Sequence, residues 1–401
     1  MKEHAAEQAS VASIRETADF QECRAIEPPT GSGKVLAFHP LSDGGLVIAT
    51  GAGQGYGEQS VAGVLASIVG LAGGDQPKPP TNALVWLDAD GGQTRSAPLP
   101  FAAKGVTIAP DGAVIAVGDD RAVVLSAAGE QLAEAAAPHF TPTEDELATL
   151  REEIAEQHRE QLEALRRNHD GLVAAKAELE KVPEEERTQR QKKELARSDE
   201  AIQSMEAFIA SLGDSPDGAV ASGLANARTI HRVAASREHL FLVAHEPVGH
   251  AFGVWRCGRD FADPEKIIGG LSGCCGQMDV QVIGNELVIA ENARHHVAVY
   301  SFDGEPLRTF GEASRADIRK GFGGCCNPMN ACAGPDGSLL LAESNGLVKQ
   351  FAPDGTLTEI LGVADVQSGC KNSSIGLSAD GSRLYYLDIQ KGRVLVMEKK
   401  S

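Results

Sequence analysis

The sequence predicts an all-β fold, a six-bladed β-propeller, interrupted by one α-helical hairpin of coiled-coil type. Short apolar strands alternate with Asp-Gly turns, and Gly is abundant (44) while aromatics are scarce (4%), as tight-turned β proteins require. Groups of three or four such strands recur every 45–51 residues, the length of a propeller blade. One charged, nearly glycine-free stretch over 142–213 has a helical period instead. A single blade cannot bury both faces of its sheet; stacking and ring closure do so, which is the physical reason to repeat. The 401 residues leave ample room for such a core.

In chain order, residues 1–30 read as a flexible N-terminal segment ending in Pro28-Pro29. Residues 31–141 hold blades 1 and 2. The first combines strands over 35–48 and 84–87 around an insertion, in which the apolar run 61–71 reads as a docked helix. The second contains Asp111-Gly112 between strands over 106–109 and 114–117, with a further strand at 122–125. Over 142–213, Leu147, Leu150, Ile154, Leu162, Leu165, Leu172 and Leu179 keep helical spacing. Pro183 opens a second helix carrying Leu195, Ile202, Met205, Ile209 and Leu212. At 1.5 Å per residue the first helix is roughly 55–60 Å long. Its charges read as a solvated face, or as a surface for a protein partner or self-association. Residues 214–401 hold blades 3–6, the clearest copies turning at Asp303-Gly304, Asp336-Gly337, Asp354-Gly355 and Asp380-Gly381.

The segment Glu291-Asn292-Ala293-Arg294-His295-His296-Val297-Ala298-Val299-Tyr300, followed by Asp303-Gly304, resembles an NHL-type propeller repeat. The match is partial in the next unit, where Asn345-Gly346-Leu347-Val348 replaces the His motif. The resemblance implies a propeller for the repeat region and says little of activity, because such propellers serve as scaffolds, lyases and hydrolases. The helical hairpin and the cysteine motifs stand outside the family pattern.

Those motifs are Gly273-Cys274-Cys275-Gly276-Gln277-Met278-Asp279 and Gly324-Cys325-Cys326-Asn327-Pro328-Met329-Asn330, with a shorter echo at Gly369-Cys370-Lys371-Asn372. Each precedes the first strand of a repeat. In a propeller that strand is innermost, so Cys274, Cys275, Cys325, Cys326 and Cys370 are expected to converge near the axis. Cys332, six residues after Cys326, is expected on the same strand face. Clustered thiols suit a thiophilic metal: an iron–sulfur cluster, needing about four thiolates; copper, with Met278 and Met329 as thioether ligands; or zinc in a closed site. Aligned by glycine, Cys274, Cys325 and Cys370 correspond; aligned by distance to the following Asp-Gly turn, Cys370 matches Cys326. The competing readings are vicinal disulfides forming a rigid ligand-binding pad, and packed cysteines without chemistry. The favoured function is a metal-binding redox protein for electron transfer or redox sensing, with a redox partner protein; the alternative is a non-catalytic interaction scaffold.

Other candidates carry less. His231, His245, His250, His295 and His296 are possible ligands, with His296 read as a strand-packing residue. Asp279 and Asn330 read as acceptors behind the ligands or as caps of strand hydrogen bonds. Cys23 and Cys257 read as structural, or as a disulfide to each other in an exported protein. Gly31-Ser32-Gly33-Lys34 lacks the first Gly and the Ser/Thr of a phosphate loop. Gly51-Ala52-Gly53-Gln54-Gly55 does not fit the dinucleotide fingerprint. No Ser/His/Asp arrangement is readable from chain order, so no catalytic residue is assigned. The net charge of −19 opposes binding to nucleic acid or an anionic membrane, and no apolar run is long enough for a transmembrane helix. Residues 1–13 show no signal-peptide core, which leaves a cytoplasmic protein or an exported one whose leader has been removed.

Overall fold

The computed structural model describes residues 2–52, 81–274, 277–314, 317–324, 326–367 and 373–400. The expected helix over 61–71 lies outside these residues. The chain divides into two compact units: residues 1–140, 228–246 and 250–401 form the first, and 141–227 with 247–249 the second.

The first unit is mainly β and propeller-like. Four of its sheets have four strands each, in chain order. They comprise β2 (Lys34–Pro40), β3 (Leu46–Gly51), β4 (Ala83–Leu87) and β5 (Gln93–Pro98); β6 (Gly105–Ile108), β7 (Val114–Gly118), β8 (Arg121–Leu125) and β9 (Gln131–Ala136); β10 (Ile230–Ala235), β11 (His239–His245), β12 (Ala251–Gly258) and β13 (Glu265–Ser272); and β14 (Asp279–Ile283), β15 (Glu286–Glu291), β16 (His296–Tyr300) and β17 (Pro306–Phe310). The remaining strands form one sheet of eight. It joins the run β18 (Asn330–Ala333), β19 (Leu339–Ala342), β20 (Leu347–Phe351), β21 (Leu357–Val363) to a run containing β1 (Phe20–Ile26), β24 (Arg393–Lys399), β23 (Arg383–Asp388) and β22 (Ile375–Leu377). The seam between the runs is a single parallel pair, Phe20 with Gly362.

The first strands of successive sheets, β2, β6, β10, β14, β18 and β22, each adjoin the next, and β22 returns to β2. Central strands such as β3 and β7 are continuous apolar runs buried along their length, so each sheet presents two greasy faces. Val288, Val297 and Val299 pack on Ala331, Leu339 and Leu341 of the following sheet. Ile48 and Val85 pack on Tyr385 and Val394, which closes the ring.

The flexible segment expected over 1–30 is corrected. Residues Lys2–Thr17 form α1, and β1 pairs antiparallel with β24 from Phe20↔Lys399 to Ile26↔Val394. Among the described residues the final repeat has three strands of its own, and β1 pairs with them as a fourth. Phe20 and Ile26 are buried, while Glu22 and Cys23 between them are exposed. Ile14 and Ala18 at the end of α1 pack against Leu347, Ile360 and Val363.

The second unit holds α2 (Glu144–Glu180), α3 (Gln189–Leu212) and α4 (Asp217–Arg228), the last continuing to the unit boundary. α2 and α3 lie side by side. Capping boxes start both: Thr143 with Glu146, and Thr188 with Gln191. Thr188 therefore opens the second helix, and Pro183 instead begins a short 3₁₀ turn, Glu184–Glu186. Lys176–Asp199 at 2.5 Å and His169–Glu206 at 3.2 Å tie the pair together along its length. The helical region runs past the expected limit of 213 because α4 follows. Among the described residues no helix is long and apolar enough to cross a membrane.

Candidate thiol centre

The cysteine motifs lie in the loops that enter β14 and β18. The Sγ atoms of Cys274 and Cys326, 52 residues apart in sequence, are 2.8 Å apart. The first thiol of one motif therefore meets the second thiol of the next. Cys275, Cys325 and Cys370 lie outside the described residues. Among the described residues no group of three or more His, Cys, Asp or Glu side chains is placed to hold a metal ion.

The two loops use glycine for different reasons. A Cβ on Gly273 would sit 2.4 Å from the Phe252 ring and 2.7 Å from Gln277 O, so that position is set by close approach. Gly324 has φ +67°, a left-handed conformation that disfavours side chains. After Gly273 the chain turns tightly, Gln277 N donating to Cys274 O at 3.2 Å. Asn292 holds this turn: its Oδ1 accepts from Cys274 N at 2.7 Å, and its Nδ2 donates to Gln277 O at 3.3 Å. In the second motif the relation is reversed. Asn327 in the loop accepts from Ser344 N at 2.7 Å and donates to Gly323 O at 2.7 Å.

The residues after the cysteines stitch neighbouring repeats. Gln277 Nε2 donates to Met329 O at 2.8 Å and to Ser373 O at 3.3 Å. Its Oε1 is buried with no donor among the described residues. Asp279 Oδ2 accepts from Ala331 N at 2.9 Å, and Asn330 Oδ1 accepts from Ile375 N at 2.9 Å. Both residues thus serve as strand caps across the ring. Burial pushes the Asp279 carboxyl up to about 6, against the opposing pull of Arg232 and of the Ala331 N–H. Arg232 Nε lies 3.7 Å from Asp279 Oδ1.

The other residues expected as ligands have these surroundings. Met278 packs in the core with Phe241, Leu271 and Ile289. Met329 is fully buried, with Asn292 Nδ2 3.8 Å from its Sδ. Cys332 lines a cavity of about 430 Å³ along the ring axis, together with Lys104, Arg232, Asp279 and Asn330. Strand alternation does not extend from Cys326 to Cys332 because β18 begins only at Asn330. Burial, then the Asp279 charge, pushes the Cys332 thiol well above its ordinary range.

The disulfide expected between Cys23 and Cys257 is absent; both are free thiols. Cys257 is buried beside Leu240 and Trp255, and burial pushes it up to about 12; Cys23 lies exposed on β1. His231 and His245 stack edge to face at 4.8 Å beside Phe252, and burial holds both below the usual histidine range.

His296 is not merely a packing residue: its Nε2 lies 2.5 Å from Glu291 Oε2. Equivalent pairs, Glu343 with Lys349 and Asp388 with Arg393, recur in the next two repeats. Sequence reading missed these pairs. Their signal was an acid at the end of a repeat's second strand, with a base five or six residues on.

No protein-family model matches the chain, and no curated protein matches it. Among solved structures the chain is similar to the Cps50 (Swd1) β-propeller domain of Myceliophteria thermophila, at 8% identity over 95% of this chain and 100% of that one, with TM-score 0.43. It is similar to regucalcin, a calcium-binding protein of Agrobacterium tumefaciens, at 11% identity over 94% and 96%, with TM-score 0.44. It is also similar to virginiamycin B lyase of Staphylococcus aureus, at 8% identity over 94% and 99%, with TM-score 0.43. The propeller-like architecture rests on the strand orders and the ring of first strands, not on these likenesses.

Proposed function

We propose that the chain is a six-bladed propeller of NHL type whose entry loops hold a cysteine-ligated metal centre for electron transfer or redox sensing. The observation that carries this reading is the 2.8 Å approach of Cys274 Sγ to Cys326 Sγ. Two thiols from successive repeats, each in a loop held by buried hydrogen bonds, form a preorganised pair of soft donors. An iron–sulfur cluster needs about four thiolates, so it draws the others from Cys275, Cys325 and Cys370; copper needs fewer. Six blades follow if β1 joins β22–β24 as the outer strand of the last one, dividing the eight-stranded sheet at its single parallel pair. The electron-transfer role calls for a redox partner protein.

Elemental analysis and an absorption spectrum of anaerobically purified protein test the reading. Stoichiometric iron with thiolate-to-iron absorption, or stoichiometric copper, is expected, together with its loss in Cys274→Ser and Cys326→Ser. Protein without bound metal and without visible absorption overturns it. The same sulfur approach favours a second reading, a Cys274–Cys326 disulfide formed across repeats on oxidation. Peptide mapping after alkylation distinguishes the two: the disulfide reading expects metal-free protein with these two cysteines protected as one linked pair.

A further inference from the structure

Each of the two cysteine loops is gripped at the same place by a buried carboxylate. Glu291, the last residue of β15, accepts from Ser272 N at 2.8 Å, two residues before Cys274. Its other oxygen faces His296 Nε2 at 2.5 Å, and Arg294 lies 2.9 Å from the first. Glu343, just after β19, accepts from Gly323 N at 3.0 Å, two residues before Cys325. Its other oxygen pairs with Lys349 Nζ, which also donates to Gly321 O at 2.6 Å. Glu291 is 1% exposed and Glu343 is fully buried. Buried carboxylates are costly to retain without good partners, and each of these directs one oxygen to a basic side chain on the following strand and the other to a loop N–H, the latter oxygen of Glu291 being shared with Arg294.

We propose that Glu291 and Glu343 are positioning residues of the thiol centre. Each carboxylate, oriented by the basic side chain on the following strand, fixes the backbone where its loop leaves the preceding strand or turn, and so sets the approach of Cys274 to Cys326. The inference rests on the reading of these thiols as a centre, and it deepens that reading by naming what holds them. Charge-assisted hydrogen bonds to backbone are short and directional, which suits them to fixing a loop.

The test is made on the full chain, reduced and freed of metal by chelation, so that it does not depend on which metal binds. Diamide is the oxidant. Its N=N bond takes up two electrons and two protons, from the Cys274 and Cys326 thiols, as the S–S bond forms. The rate of the Cys274–Cys326 link is followed by peptide mapping. Glu291→Ala removes the hydrogen bond to Ser272 N and the contacts with His296 and Arg294, and is expected to slow linkage about tenfold or more, as misplacement of reacting atoms does. Glu291→Gln keeps an oxygen for Ser272 N and is expected to slow it less than about threefold. Glu291→Asp keeps the charge but withdraws the carboxylate by one methylene, and covers the case in which Glu291→Ala does not fold. Glu286→Gln breaks the paired hydrogen bonds to Arg308 on the same sheet, at 2.7 Å each, and is expected to leave the rate unchanged. Wild-type linkage rates in Glu291→Ala, or in Glu291→Asp where the Ala variant is unfolded, overturn the proposal. A metal-free wild-type protein overturns the proposed function but leaves this measurement intact.

Discussion

The Cys274 repeat and the Cys326 repeat share a sequence plan and execute it with different chemistry. Both place an acid after the second strand and a base on the third. In the first, the base is His296, 21% exposed, and the acid is shared with Arg294. In the second, the base is Lys349, and neither member of the pair reaches solvent. Lys349 also lies 5.4 Å from the Phe322 ring. The same topology thus holds a partly solvated histidine beside the acid in one blade and a fully desolvated lysine in the next. What differs is cover. Residues 321–324 fold over the second pair, Lys349 reaching Gly321 O and Glu343 reaching Gly323 N.

That contrast is broken most severely by Lys349→Met, which leaves the Glu343 carboxylate in the interior without its ammonium partner. A loss of about 3–5 kcal/mol in urea unfolding is expected, the usual cost of uncompensating a buried charge. An effect below about 1 kcal/mol would show that the enclosed pair is no more sensitive than a surface one.

Next in size is the pH response of Asp279. Its folded value of about 6 exceeds the ordinary carboxylate value of 3.8, so between those limits the folded state binds more protons than the unfolded chain. Stability from this group is full below about pH 4 and declines as pH rises through 6, by about 3 kcal/mol in total. Asn330 fills the equivalent place in the next repeat and caps the next strand in the same way. Asp279→Asn is therefore expected to fold and to lack that decline. Parallel stability–pH curves for the variant and wild type between pH 4 and 6 would contradict this.

Two glycine substitutions sharpen the comparison of the loops. Gly273→Ala drives a methyl into Phe252 and is expected to cost about 1–3 kcal/mol by overpacking. Gly324→Ala meets no such obstacle, its nearest contact being the Asn327 amide at 3.1 Å, and is expected to cost about 1–2 kcal/mol through its left-handed backbone. Phe252→Leu should relieve part of the first, the Gln277 O contact at 2.7 Å remaining, and leave the second unchanged; relief of both would mean that one mechanism serves both loops. The smallest effect is expected for His296→Gln, about 1 kcal/mol or less by thermal unfolding, because His296 is partly solvated and Arg294 and the Ser272 N–H remain beside Glu291.

Much of the β architecture was legible because its signals are local. Asp-Gly turns, apolar strands and the switch to helical spacing after Thr143 each depend on a few neighbouring residues. The insertion's helices start where Thr143 and Thr188 cap them, and both caps are readable as Thr-x-x-Glu and Thr-x-x-Gln. The fourth strand of the last repeat was not legible. Phe20–Ile26 has only two buried ends, and its partner β24 lies some 370 residues away in the chain. The relation of Cys332 to Cys326 was not legible for a similar reason: counting by twos assumes a continuous strand, and the chain from Cys326 to Met329 is not one.

The sequence by itself determined that thiols would recur at the entry to successive repeats, because the motif and the repeat are both written in the order of residues. Only the tertiary structure decided that Cys274 meets Cys326. It also turned Met278 into core and made Glu291 and Glu343 the residues that hold the loops. The physical reason is that equivalence along a chain fixes where a loop begins, whereas the approach of two sulfur atoms depends on how each loop turns. Here the Phe252 ring leaves no room for a side chain at Gly273, and Gly324 has a left-handed backbone.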